Sequence, residues 1–319
     1  MPDRPRLTPA VADTRRCVRT VFETLGVQDT TVLVGFSGGA DSLALLSAVA
    51  FEAEKYSIKP IAVIVDHQLQ NESAQVALDA KQTAESLGVE AVVKTVEVGT
   101  EGGLENAARD ARYEALNDAM EELNAEYLLL GHNLNDQAES VLLGLMRGSG
   151  PRSIAGMREV SGSILRPLLS MTRDELRQAC QDQGLEFWDD PHNDDPKFSR
   201  VQIRQILTEL EQSGSQGVVQ ALARTADQMF ESEEIIGPVI EAEIQQINNP
   251  QEVDVEFLQS LTTAVRRRVI HKLGQLNSAD LSRVHVLEVE KLVTNWHGQK
   301  PLNLPGITVS RVGNHLHFD

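Results

Sequence analysis

The chain has 319 residues, 41% of them hydrophobic, and a formal net charge of -18 at pH 7. That length allows about two domains of 100–200 residues, each with its own core. The acidic balance excludes binding of nucleic acid by overall charge, since neither residues 1–210 nor residues 211–319 are net basic; a local basic patch stays open. Cys17 and Cys180 have no metal or redox spacing and read as reduced thiols. The first twenty residues carry Arg4, Arg6, Arg15, Arg16 and Arg19 and no long apolar run, so neither a signal peptide nor a membrane span is expected, and the expected location is cytoplasmic.

Taken in order, Thr31–Phe36 and Ile61–Val65 are β-branched and almost uninterrupted, as in strands covered on both faces. Val89–Val96 and Tyr127–Leu130 continue the series, and Ile164–Leu169 is weaker. Between them Ser42–Glu54, Ala74–Leu87, Leu104–Leu123 and Gln137–Met146 place apolar residues at helical spacing. This alternation predicts an α/β fold, a doubly wound parallel sheet whose functional loops lie at the carboxyl ends of the strands. After about residue 204 the pattern turns helical: Ile203–Leu210, Val218–Phe230, Ile235–Ile247, Ala264–Leu276 and Val284–Thr294, followed by a hairpin over Ile307–Phe318 around Gly313-Asn314. The expected division is a first domain over residues 1–210 and a smaller, mostly helical one over 211–319, with Cys180 in a surface helix. No internal repeat or low-complexity tract interrupts this plan.

Ser37-Gly38-Gly39-Ala40-Asp41-Ser42 lies directly after the first strand and before a helix. Glycines at 38 and 39 let the backbone approach an anion closely, and the turn presents successive amides with the free N–H groups and positive dipole end of the helix. Ser37 and Ser42 add hydroxyl donors. No lysine follows the glycines, which excludes the P-loop that transfers a terminal phosphate. Asp41 beside a polyphosphate would be repulsive unless a cation stands between them, and Mg²⁺ shared by Asp41 and the phosphates resolves this. The competing reading is a glycine-rich turn with an aspartate capping a helix.

Asp66-His67 and His132 follow the second and fourth strands, so they are expected to line the same crevice, with Asp136 nearby. Arg109 and Arg112 share a helical face, which fits either surface salt bridges, with Glu105 for example, or a site role. Arg200 and Arg204 are one turn apart and fit phosphate clamping or a solvated face. Trp188 and Trp296 fit core packing or base stacking equally. The stretch Arg147, Arg152, Arg158, Arg166, Arg173 and Arg177, opposed only by Glu159, Asp174 and Glu175, reads either as scattered solvated residues or as a local basic face, to which Arg200, Arg204 and Arg266-Arg267-Arg268 could add.

The hexapeptide resembles the loop of the PP-loop ATP pyrophosphatases, which holds the pyrophosphate portion of ATP. Further elements sharpen this resemblance: Val65-Asp66-His67-Gln68-Leu69, Glu105-x-x-Ala-Arg109-x-x-Arg112-Tyr113, Gly131-His132-x-x-x-Asp136-Gln137-Ala138-Glu139 and Met146-Arg147-Gly148-Ser149-Gly150. They continue with Arg166-Pro167-Leu168-Leu169, Trp188-x-Asp190-Pro191-x-Asn193 and Phe198-x-Arg200-x-x-Ile203-Arg204. In this order the chain is similar to the tRNA(Ile)-lysidine synthetase family over roughly residues 30–210. The resemblance implies adenylation by ATP of the wobble cytidine of an isoleucine tRNA with a CAU anticodon, then attack by free L-lysine to give lysidine, AMP and pyrophosphate. It implies ATP binding by Ser37 to Ser42, Asp66, His67 and His132, with Mg²⁺ at Asp41. It further implies catalytic roles for Asp41, Asp136 and Glu139, one of the last two holding the lysine ammonium, and tRNA or lysine binding by Arg109, Arg112, Arg147, Arg152, Arg200 and Arg204.

Three positions depart from the family pattern: Gln70 where arginine is common, Asn135 where aspartate is common, and His192 where serine is usual. Rival readings are another PP-loop adenylating enzyme or a non-catalytic nucleotide-sensing, RNA-binding protein. Sulfur-transfer members generally carry cysteines beside the site and amidotransferase-linked members a glutaminase, neither of which is apparent.

Overall fold

The computed structural model describes residues 7–69, 72–99, 103–190, 199–214 and 217–319. Helix α1 (Pro9–Leu25) precedes β1 (Thr31–Gly35), α2 (Ala40–Ala53), β2 (Lys59–Asp66), α3 (Ser73–Ser86), β3 (Glu90–Thr95), α4 (Leu104–Glu122), β4 (Tyr127–Leu130) and α5 (Leu134–Met146). Then come α6 (Pro151–Ile154), β5 (Val160–Ser161), β6 (Ile164–Leu165), α7 (Arg173–Asp182), α8 (Ser199–Gln212) and the long α9 (Val218–Ile244). The chain closes with β7 (Glu252–Asp254), α10 (Val255–Ser260), α11 (Thr263–Leu276), α12 (Arg283–Thr294), β8 (Leu302–Leu304), β9 (Ile307–Val312) and β10 (His315–Phe318). Two compact units divide within α9 after Ala226, with Gly150–Ala155 grouped with the second.

In the first unit six strands lie in the order β3-β2-β1-β4-β6-β5, all neighbours parallel except β5 against β6. Strand alternation sends Val32, Val34, Ala62, Ile64 and Leu129 to one face, under α1, α2, α3 and α7. Leu33, Ile61, Val63, Leu128 and Leu130 point to the other, against Leu116 and Ala119 of α4. Leu33 and Leu128 are fully buried, and truncating either to alanine would cost about 2–5 kcal/mol. The chain moves from β1 outward to β2 and β3, then returns to place β4 on the other side of β1. The carboxyl ends of β2, β1 and β4 therefore sit side by side where the strand order reverses.

The expected strands all form, though the weak fifth is only Ile164–Leu165. Helix α1 was not foreseen; it packs through Val18, Val21 and Phe22. Helix α7 does lie at the surface, with Asp174, Glu175, Gln178 and Gln181 exposed, but Cys180 is on its inner face, packed toward α1 and α2, and is fully buried. The two helices expected over 218–247 are one, α9, with Pro238 inside it; proline costs a helix one backbone bond without having to end it.

The second unit adds an antiparallel sheet, β7-β10-β9-β8, to its helices. The foreseen hairpin is β9–β10, with Gly313 at φ +60° in its turn. Strands β7 and β8 are three residues each, too short to show alternation in the sequence. Its core holds Val269, Ile270, Leu273, Val289, Leu292, Val309, Leu316 and Phe318. Arg266 and Arg267 both donate to Glu290, at 3.2 and 2.7 Å, and Arg268 grips Glu233 at 2.6 and 2.5 Å. These three arginines are internal ion-pair partners and so form no open basic face.

Candidate active site

From β1 the chain turns through Ser37–Ser42 into α2. Gly38 sits at φ +81°, a conformation that side chains rarely allow. The Ser37 amide donates to Ser42 Oγ at 3.2 Å, and Ser42 Oγ donates to the Gly39 carbonyl at 3.0 Å, so the loop is braced by its own hydroxyls. Gly39 is the N-cap of α2 and offers no side-chain cap, which leaves the first helical amides to an outside acceptor. Gly131, just past β4, lies against this turn: a Cβ there would come within 3.0 Å of the Asp41 carbonyl oxygen.

At the end of β2, buried Asp66 accepts the Gln68 amide at 2.9 Å, and Gln68 takes φ +54° to make that turn. His67 and His132 each have a buried Nδ1 with no partner among the described residues. Burial lowers both imidazole pKa values and Arg112 lowers them further, against the pull of Asp66 on His67 and of Asp136 on His132, which favours the neutral rings. A cleft of about 270 Å³ is bordered by Ser37, Asp66, His67, Arg112, Trp188 and Asp190.

Beside the loop lie three carboxylates. Asp136 is held by the capping box that starts α5: its Oδ2 accepts the Asn133 amide at 3.1 Å while Asn133 Oδ1 accepts the Asp136 amide at 3.0 Å. Glu139, nearly one turn on, is 2% exposed. Arg173, the first residue of α7, reaches all three: its Nη2 is 3.2 Å from Asp136 Oδ1 and 3.2 Å from Glu139 Oε1, and its Nε is 3.9 Å from Asp41 Oδ2. Arg204 of α8 donates to Glu139 Oε1 at 2.7 Å. Asp41 Oδ1 and Glu139 Oε2 remain buried with no hydrogen-bond partner among the described residues. Burial, then the charge of Asp136, pushes the Asp41 carboxyl up to about 6, against the pull of Arg173.

The structure thus brings together Ser37, Gly38, Gly39, Ala40, Asp41, Ser42, Asp66, His67, Arg112, His132, Asp136, Glu139 and Arg204. Arg204 is also a partner of the Glu139 carboxylate. Arg109 is exposed over the Tyr113 ring at 5.2 Å, Arg147 and Arg152 are exposed, and Arg200 is half-buried. The stretch read as a possible basic face is broken up: Arg166 is buried and donates to the Arg158 carbonyl, Arg173 is the hub of the carboxylates, and Arg177 pairs with Asp189. Asn135, one of the three departures, accepts the Arg173 amide at 3.0 Å and so helps set the hub. Gln70, Pro191, His192, Asn193, Phe198 and the side chain of Glu105 lie outside the described residues. Cys180 donates its thiol to the Ala40 carbonyl at 3.4 Å, and burial pushes that thiol up to about 12, so it is inert. The sequence reading missed Arg173 as a site residue; its position at the start of a capped helix was the one available signal.

A parallel sheet with this glycine-rich turn between β1 and α2, opening on a cleft at the carboxyl ends of β1 and β2, defines a PP-loop nucleotide-binding domain. The family described as PP-loop domain matches residues 11–211, and the one described as TilS substrate binding domain matches residues 254–317. A tRNA(Ile)-lysidine synthase of Leifsonia xyli subsp. xyli is 45% identical over 295 residues, covering 90% of this chain and 89% of that protein. The same enzyme of Rhodococcus erythropolis is 43% identical over 307 residues, covering 94% and 91%. The solved U34-tRNA thiolase NcsA from Methanococcus maripaludis, at 21% identity and a TM-score of 0.57 over 70% of this chain and 80% of its own, shares the fold. The chain belongs to the tRNA(Ile)-lysidine synthase family, ATP-using ligases of the PP-loop class. No helix among the described residues is long and apolar enough to cross a membrane.

Proposed function

We propose that this chain uses ATP to adenylate the wobble cytidine of the CAU-anticodon isoleucine tRNA and joins free L-lysine to it, forming lysidine and releasing AMP and pyrophosphate. The observation that carries this reading is the pairing, at one sheet edge, of an anion cradle with carboxylates that each keep one buried oxygen without a partner among the described residues. The match to lysidine synthases over nine-tenths of the chain supports it.

The residues fit Mg²⁺. Among the described residues, Asp41 Oδ1 is buried without a hydrogen-bond partner beside the phosphate loop. That donor set suits an ion that takes one protein carboxylate and fills its shell from phosphates and water. When bound, Mg²⁺ supplies neutralising charge at the phosphates. Ser37, Ser42 and the loop amides hold the pyrophosphate portion of ATP, and Arg112 bears on the cleft as a fixed cation. His67 and His132, held neutral, can each donate or accept a hydrogen bond to the nucleotide.

Asp136 and Glu139 divide between two roles. Both oxygens of Asp136 are engaged, one in the helix cap and one with Arg173, so Asp136 fixes the hub. Glu139 Oε2 has no hydrogen-bond partner among the described residues, and Glu139 is the acceptor for the lysine ε-ammonium. That ammonium ordinarily titrates near pKa 10.4 and must lose a proton to attack; the nearby charges of Arg173 and Arg204 favour the neutral amine. For tRNA we assign Arg109, Arg147, Arg152 and Arg200 as phosphate contacts and residues 211–319 as the tRNA-binding domain, after the catalytic domain at 1–210.

The test is incorporation of labelled lysine into unmodified isoleucine tRNA bearing CAU, with ATP and Mg²⁺. Incorporation that disappears in Asp41→Ala is expected. AMP formation on another substrate with no lysine incorporated would instead assign a different adenylation reaction.

A further inference from the structure

The phosphate loop is gripped from outside by the chain segment around Trp188. The Trp188 amide donates to the Gly38 carbonyl at 3.0 Å. A trans peptide is planar, so the Gly38 carbonyl and the Gly39 N–H point in opposite directions. With the carbonyl turned out to Trp188, the Gly39 amide turns inward, where it lies 3.4 Å from Ser37 Oγ. Both flanking residues are glycines, with no Cβ to resist rotation of that peptide, and Gly38 already sits at φ +81°. An external partner is what selects one orientation.

Arg177 secures that partner from both sides. Its guanidinium makes a two-pronged contact with Asp189, 2.8 and 2.9 Å, and stacks over the Phe187 ring at 4.6 Å, so it holds the residues immediately before and after Trp188. The stem of Arg177 is fixed because α7 is anchored by the Thr172–Glu175 capping box and by buried Leu176 and Cys180. The pair itself is open to solvent, with side chains 37% and 67% exposed, so it adds little to stability. Neither Arg177 nor Asp189 belongs to the chemistry described above.

We propose that Arg177 and Asp189 are positioning residues for the phosphate loop: by holding Trp188 they keep the Gly38–Gly39 peptide turned so that its amide meets the anion. This rests on the reading that Ser37 to Ser42 hold the pyrophosphate portion of ATP. Arg177→Ala and Asp189→Asn are each expected to weaken Mg²⁺-pyrophosphate binding, measured by calorimetry, and to raise KM for ATP, by about threefold to tenfold. kcat at saturating ATP and KM for lysine should stay within about twofold, because the pair bears on the loop alone. The charge-exchanged double variant, Arg177→Asp with Asp189→Arg, should recover most of the lost affinity. In a Trp296→Phe background, leaving Trp188 as the sole tryptophan, acrylamide quenching should rise in both single variants. Unchanged pyrophosphate affinity in the single variants, or an exchanged pair no better than they are, would overturn the proposal. If Ser37→Ala and Asp41→Ala also leave pyrophosphate binding intact, the reading of the loop itself fails; if they abolish it while the Arg177 and Asp189 variants are silent, only the latch fails.

Discussion

The two units treat buried charge differently. In the second, Glu290 accepts from both Arg266 and Arg267, and Glu233 from Arg268, so each buried charge has its partner within the chain. At the carboxyl edge of the first unit's sheet, Asp41 Oδ1, His67 Nδ1, His132 Nδ1 and Glu139 Oε2 are buried and have none among the described residues. A buried polar atom without a partner costs about 1–3 kcal/mol, and several together at one strand edge are what a ligand can satisfy. The ion pairs of one unit serve its structure, whereas the open valences of the other are those we assign to its substrates.

That contrast is sharpest at Asp41. Asp41→Ala should lower ATP–pyrophosphate exchange by about 10²- to 10³-fold, while melting temperature does not fall, because the carboxylate is held at a cost in the free protein. Glu290→Ala should do the reverse: it strands two arginines, one of them 9% exposed, and should cost about 3–5 kcal/mol in denaturant titration, with exchange per folded molecule unchanged. Equal stability losses at the two sites would break the comparison. Glu139→Gln should raise KM for lysine about 10- to 100-fold through loss of a charge-assisted hydrogen bond, while KM for ATP moves by less than about threefold.

The smallest effect is in pH. The Asp41 carboxyl is raised from 3.8 to about 6 in the folded protein, so the folded state holds this proton more tightly than the unfolded chain. Its contribution to stability is therefore fully present below 3.8 and is lost as pH rises through 6, the opposite of an ion-paired carboxylate. Ligand binding follows the other sign. A cation at Asp41 needs the carboxylate, so affinity for Mg²⁺-ATP should fall about fivefold between pH 6 and pH 5, and Asp41→Asn should flatten that part of the profile.

The features readable in the sequence were local ones. The hexapeptide, the strand runs and the strand-end residues Asp66, His67 and His132 are each short stretches whose chemistry and backbone needs coincide. Arg173 escaped because its role depends on three carboxylates carried by α2 and α5, which the sheet brings to it across more than thirty residues of sequence. Cys180 escaped for a related reason: α7 has polar residues at most positions, and only its packing on α1 and α2 shows which face is covered. Within the arginine stretch, charge counts along the chain do not show that Arg173 and Arg177 meet carboxylates while Arg147 and Arg152 stay exposed.

The most direct test of the central claim is the rise in melting temperature produced by saturating ATP with Mg²⁺, compared between the native sequence and Asp41→Ala. A ligand that fills the open valences at the carboxyl edge stabilises the folded state by mass action, so the native protein should gain several degrees, about 1–3 kcal/mol of linkage, and the variant little or none. An equal rise in both proteins would contradict the account, because ATP would then be held without the Asp41 carboxylate, whose Oδ1 is buried with no hydrogen-bond partner among the described residues.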